Sequence, residues 1–199
     1  MSVTSSGAVS QTGAISTGAA TISAAGQTID LTTNGAANNF TGAVNLTGGA
    51  TTITDANALT LGTLATGNLT ATSTGALNLG QGTITGNLVA NSNGNAITQA
   101  GALTVTGTSG LTATGAGITL TSGNDFQNTV TATGTGIQIT DATGSLTTVI
   151  TDGGATTLAA AGPLTSSGST TGLLTTTTTG GGTTTFGVTT AGSMNVTST

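Results

Sequence analysis

The 199-residue chain contains no Lys, Arg, His, Cys, Trp or Tyr; its five charged side chains are Asp30, Asp55, Asp125, Asp141 and Asp152, and its formal charge is −5. Without a cation the chain offers phosphate no electrostatic footprint, which argues against a nucleic-acid partner. Without His or Cys, zinc, haem and iron–sulfur centres lack their usual ligands, and no His or Lys is present to activate the many Ser and Thr hydroxyls. The expectation is therefore a non-enzymatic protein with no catalytic, cofactor-binding or metal-binding residues.

Leu, Ile, Val and Phe together make up just under a fifth of the chain, whereas Thr occurs 54 times and Gly 34 times. That is too little bulk for a globular core, but enough for a narrow, repeated one. No apolar run of about 18 residues is present, so no transmembrane helix is expected. Met1-Ser2-Val3-Thr4 opens the chain without a basic or apolar leader, so the sequence reads as a mature or excised segment.

Helix is disfavoured throughout, because Gly, Thr, Ser and Asn are weak helix formers. Short bursts of period-2 alternation run along the chain instead: Ile29-Asp30-Leu31, Val44-Asn45-Leu46, Leu77-Asn78-Leu79, Leu103-Thr104-Val105, Ile118-Thr119-Leu120 and Ile137-Gln138-Ile139. Each is bounded by Gly, Asn or Ser, the pattern of short strands with one buried face. The bursts recur. Val3 matches Ile22 and Gly67-Asn68-Leu69 matches Gly86-Asn87-Leu88, both at an offset of 19. Leu111–Thr121 aligns with Val130–Thr140 at the same offset, which continues from Val130 to Val149 and from Ile139 to Leu158. Ile22 to Val44 is 22 residues and Leu88 to Leu111 is 23.

A longer echo overlies the short one. Gln11-Thr-Gly-Ala-Ile15 returns as Gln99-Ala-Gly-Ala-Leu103 at offset 88. Asn39-Phe40 returns as Asp125-Phe126, and Ile53-Thr-Asp-Ala56 as Ile139-Thr-Asp-Ala142, both at offset 86. This looks like an internal duplication of about four coils.

A repeat of 19–23 residues built from short strands and tight turns implies a solenoid. The dense leucine frame and helical segment of a leucine-rich repeat are missing, and a parallel β-helix fits better. Roughly ten coils spaced about 4.8 Å apart would make a rod about 45–50 Å long. The expected inward columns are Val3/Ile22/Val44, Leu69/Leu88/Leu111/Val130/Val149 and Leu120/Ile139/Leu158. The coils are expected over residues 1–165, with Pro163 at a corner. Residues 166–199 form a Thr/Gly-rich segment that either frays or continues the stack through Leu173, Phe186-Gly187-Val188 and Met194-Asn195-Val196.

Gly67-Asn-Leu-Thr-Ala-Thr-Ser-Thr-Gly-Ala-Leu-Asn-Leu79, Gly94-Asn-Ala-Ile-Thr-Gln-Ala-Gly-Ala-Leu-Thr-Val105 and Ile53-Thr-Asp-Ala-Asn-Ala-Leu-Thr-Leu61 resemble the repeats of filamentous-haemagglutinin-type adhesins, the exoproteins of two-partner secretion. The resemblance covers roughly residues 7–165. It implies a right-handed parallel β-helix, export to the cell surface, and a role in adhesion, aggregation or biofilm. The N-terminal secretion domain of such exoproteins is not seen in this segment, and typical members carry some Lys and Arg.

Several residues invite a functional reading. Asp55 and Asp141, equivalent in the long echo, could share a calcium-binding turn; an Asx turn satisfying backbone donors is the favoured alternative, and Asp152-Gly153-Gly154 reads the same way. Asp30 is expected to face solvent. The pairs Asp125/Asp141 and Asp141/Asp152 do not match the coil spacing that glycosidase carboxylates would need. Phe40 and Phe126 are either a sugar platform or, preferably, core aromatics. Asn39, Asn45, Asn68 and Asn195 open Asn-x-Thr sequons. Thr112-Ala-Thr114 and Thr131-Ala-Thr133 would form Thr ladders if stacked, a face for ice or carbohydrate. The open ends of a solenoid invite pairing with further copies. The expected function is an extracellular or cell-surface structural protein: an adhesin shaft or a self-assembling fibre subunit, with copies of itself or the rest of a long exoprotein as partners.

Overall fold

The computed structural model describes residues 1–33 and 37–199. Among these there is no α-helix; the chain winds through 23 strands into a parallel β-solenoid of about ten coils. Each coil contributes to three columns of stacked strands. The first column starts with Ser2–Thr4, Ala20–Ala24 and Val44–Gly48. The middle column starts with Val9–Ser10, Ile29–Leu31 and Thr51–Asp55. The third starts with Ser16–Thr17 and Asn39–Phe40. Every strand pairing is parallel and joins one coil to the next. Towards the C-terminus the columns fuse, and the single strands Leu164–Thr178 and Thr184–Ser198 each run along a whole coil.

The alternation read from the sequence sets the cross-section. Inward residues stack into ladders along the axis, one of which is Leu59, Leu77, Ile97, Ile118 and Ile137 in the third column. All five are fully buried, and burying each such side chain is worth about 1.5–3 kcal/mol. The neighbouring coil takes up the backbone donors and acceptors, so a core one or two side chains wide suffices. Phe40 and Phe126 are buried in that core and are not exposed to a ligand.

Coil-to-coil offsets vary from 17 residues, as between Val44 and Leu61, to 24, as between Ile22 and Leu46. The extra residues lie in the corners, and this corrects two of the expected columns. Val3 and Ile22 do stack, but Leu46 follows them; Val44 stacks on Ala20. Leu69 stacks on Leu88, but the ladder then runs through Ser109, Val130 and Thr148. Leu111 lies in the adjacent row between Ala90 and Ala132. Val149 points outward, 40 % exposed. The third expected column, Leu120/Ile139/Leu158, is present.

The slip at Leu111 has a definite cause. Strand pairing there runs at an offset of 21, from Ser109 to Val130, and returns to 19 at Ile118 and Ile137. The corner Ala113–Gly117 is two residues longer than the corner Gly134–Gly136, and it absorbs the difference while the strands stay in line. Stacking also dictates some glycines. Gly168 has φ +108°, and a Cβ there would press on the Ile150 carbonyl oxygen of the coil below, so both conformation and contact require glycine.

Candidate functional site

Some of the polar side chains buried inside the coils cluster at corners, and two of these corners are copies of one arrangement. In the first, Asn38 is fully buried and Gln11 nearly so. Their amides face each other: Gln11 Nε2 donates to Asn38 Oδ1 at 3.0 Å, and Asn38 Nδ2 donates to Gln11 Oε1 at 2.9 Å. Asn38 Oδ1 also accepts from the Ile15 N–H, and Asn38 Nδ2 reaches the carbonyls of Leu31 and Thr54. One side chain thereby ties the coil below, its own coil and the coil above.

The second arrangement repeats the first. Asn124 is fully buried. It exchanges amide bonds with Gln99, accepts from the Leu103 N–H at 2.9 Å, and donates to the carbonyls of Leu120 and Thr140. In each, an aspartate one coil further on completes the set. Asp55 accepts from the N–H groups of Phe40 and Asn57, and Asp141 from those of Phe126 and Thr143. A buried amide or carboxylate is tolerated only with such partners. The second clamp closes a place where the chain leaves regular stacking, between Leu120 and Asn124, where the register shifts.

The two clamps lie on different sides of the solenoid. Asp55 ends a middle-column strand, whereas Asp141 ends a third-column strand. Phe40 belongs to the third column and Phe126 to the first. The echo of about four coils therefore advances four coils and one further side.

The aspartates act as acceptors for backbone donors. Asp152 accepts from the N–H groups of Gly136, Ile137 and Gly154 and from the Thr156 hydroxyl, at 2.7–3.1 Å. Burial raises the Asp141 carboxyl above its ordinary range, against the two N–H bonds that favour the charged form. Asp30 lies at the surface, where bonds from Thr32 and Thr52 hold it below that range. Asp125 is half-exposed and accepts from the Gln127 side chain. Among the described residues no three His, Cys, Asp or Glu side chains converge as metal ligands.

The sequon asparagines differ in their engagement. Asn45 Oδ1 accepts from the Thr63 N–H, and Asn68 Oδ1 from the Asn87 N–H, each bracing the next coil's corner. Asn39 is half-buried; Asn195 is exposed on the last coil. Gln11, Gln99, Asn38 and Asn124 were not singled out as structural residues from the sequence. The signal was present: Gln-x-Gly-Ala precedes an Asn that stands two residues before Phe, and both occurrences share it.

The ends of the stack are the other notable surfaces. At the first coil, Met1, Val3, Val9, Ile15, Ile22 and Leu31 surround an open cavity of about 370 Å³. At the last coil, Val188, Met194 and Val196 are exposed, and Thr184–Ser198 pairs with a neighbouring strand on one side only. No helix is long and apolar enough to cross a membrane among the described residues.

Residues 1–47, 48–78 and 66–133 match a family described as repeats of unknown function (DUF5649). No curated protein and no solved structure matches the chain. With two-thirds of its length covered by these matches, the chain belongs to the DUF5649 repeat family.

Proposed function

We propose that the protein is a non-enzymatic structural rod, the shaft of a filamentous adhesin or a fibre subunit that works at the cell surface or outside the cell. The observation that carries this reading is the unbroken succession of parallel coils around a narrow core, with no second layer and no polar cluster set apart from the stacking among the described residues. Such a stack is extended along one axis and transmits load through its backbone ladders. The buried polar groups serve backbone donors and acceptors, which fits a load-bearing role better than a chemical one. The likeness of its repeats to filamentous-haemagglutinin-type adhesins supports the extracellular assignment.

Negative-stain electron microscopy across a concentration series tests the reading. Slender rods about 5 nm long, on the coil spacing of about 4.8 Å, or filaments of the same width growing from them, are expected. Globular particles would overturn the rod itself. Hydrolysis of a polysaccharide panel by the pure protein would overturn the non-enzymatic assignment.

A further inference from the structure

The outward side of the middle column differs from the other two. Its coil-to-coil register is unbroken from Ile29–Leu31 through Leu164–Thr178, with no bulge at any step. The first and third columns each contain a register shift. On this side the register shifts only at the last step, between Ser166 and Gly168, so up to Leu164–Thr178 the variation in coil length is absorbed elsewhere.

Two rows of outward residues run along it. One is Thr54, Thr72, Asn91, Thr112, Thr133, Thr151 and Ser169, in direct register. The other, two residues earlier on each strand, is Thr52, Thr70, Val89, Gly110, Thr131, Val149 and Ser167. The result is a two-dimensional array with a repeat of about 4.8 Å along the axis and roughly 6.6 Å along each strand. Valine preserves the threonine shape and its methyl group where it replaces it. The second row begins one coil earlier at Asp30, which accepts from the Thr52 hydroxyl; from Thr52 onward no charged residue lies in either row.

Two threonine hydroxyls just beyond strand ends, those of Thr41 and Thr85, donate to carbonyls of the adjacent coil. Among the described residues, the hydroxyls of Thr54, Thr70, Thr72, Thr112, Thr131, Thr133 and Thr151 bond to no protein group. They are held at fixed spacing by the backbone ladder and are free to bond water. Methyl groups between them restrict the same water layer.

We propose that this side binds crystalline water, by organising its own surface water into a lattice that merges with an ice plane. Many weak contacts at matched spacing give adhesion that no single hydroxyl could supply. The array's two spacings lie near the two oxygen repeats of the prism plane of ice. A crystalline polysaccharide is the less suitable ligand, because sugar rings favour aromatic faces and neither row contains an aromatic residue. The inference is independent of the structural role proposed above: a rod can carry an ice-binding side whether or not it polymerises.

The test uses the whole chain with three variants: Thr133→Tyr and Thr112→Tyr within the array, and Thr157→Tyr on the outward side of the third column. Tyrosine is favoured in strands, and circular dichroism checks each fold. The readouts are thermal hysteresis and partition into a growing ice shell. The wild type and Thr157→Tyr are expected to enter the ice and shape the crystal, while both array variants lose most of that activity. Exclusion of the wild type from ice overturns the proposal. So does equal loss in Thr157→Tyr, full retention in either folded array variant, or retention on crystalline cellulose without any effect on ice.

Discussion

The early and late coils of this rod fill the same interior with different chemistry. In the third column the inward ladder is Leu59, Leu77, Ile97, Ile118 and Ile137, and the next member is Thr156. In the middle column Leu69 and Leu88 give way to Ser109, Val130, Thr148 and Ser166. The late coils stay buried because their hydroxyls find partners inside. Thr148 donates to Ser166 at 3.1 Å, Thr156 to Asp152 at 2.7 Å, and Thr170 to the Gly154 carbonyl at 2.7 Å. Parallel stacking thus requires inward side chains of suitable shape, and tolerates polar ones where an acceptor is fixed within reach. Thr66, Ser109 and Thr176 lack one.

The comparison can be broken most severely at a clamp. Asn124→Ala leaves the Leu103 N–H and the carbonyls of Leu120 and Thr140 without their partner. Each buried orphan costs about 1–3 kcal/mol, so a loss of at least about 3 kcal/mol is expected in urea unfolding. A midpoint unchanged from wild type would show that water replaces the amide.

The aliphatic and hydroxyl-lined interiors should then differ within one ladder. Leu77→Ala is expected to cost about 2–5 kcal/mol through lost burial and a cavity. Thr156→Val keeps the shape and loses one bond to Asp152, which retains three N–H donors, so about 1 kcal/mol is expected. Equal losses by calorimetry would refute the distinction.

A smaller effect separates the aspartates by pH. The folded-state pKa of Asp141 lies above the ordinary value of 3.8, so the folded chain binds more protons just above pH 3.8. Its contribution to stability is fully present below that pH and is lost as pH rises through the folded value. Asp30, held below the ordinary range, acts in the opposite direction and only below pH 3.8. Asp141→Asn should therefore flatten the fall in urea midpoint just above pH 3.8; a variant with the wild-type slope would remove Asp141 as its source. Least of all, Thr176→Val removes a buried hydroxyl that has no partner and should be neutral or stabilise by up to about 1 kcal/mol. Destabilisation beyond that in the same denaturation would reveal an unseen partner.

Much of the fold was legible because strands and corners leave separate marks. Alternation located the strands, and the offset of 19 identified the solenoid. The alignment of Leu111–Thr121 with Val130–Thr140 then misled, for a physical reason. Identity there followed the corner glycines, while the strands answer to coil-to-coil pairing, and the longer corner at Ala113–Gly117 separates the two by two residues. Val149 was misplaced similarly, since the coil from Val130 to Thr148 is one residue shorter than the echo. The clamps were half legible. Gln11, Gln99, Asp55 and Asp141 stood in the long echo, but Asn38 and Asn124 each precede a more conspicuous pair, Asn39-Phe40 and Asp125-Phe126, and are two among many asparagines.

The same Gln–Asn–Asp geometry fits at two corners that are not equivalent by any whole number of coils. The three sides are therefore interchangeable to the chain, and the piece by which such a rod can lengthen is a single strand with its corner. Gaining or losing one such piece would leave every bond within a distant clamp intact while turning all that follows by a third of a revolution. A lineage of these proteins could in that way re-aim a surface feature around the axis without redesigning it.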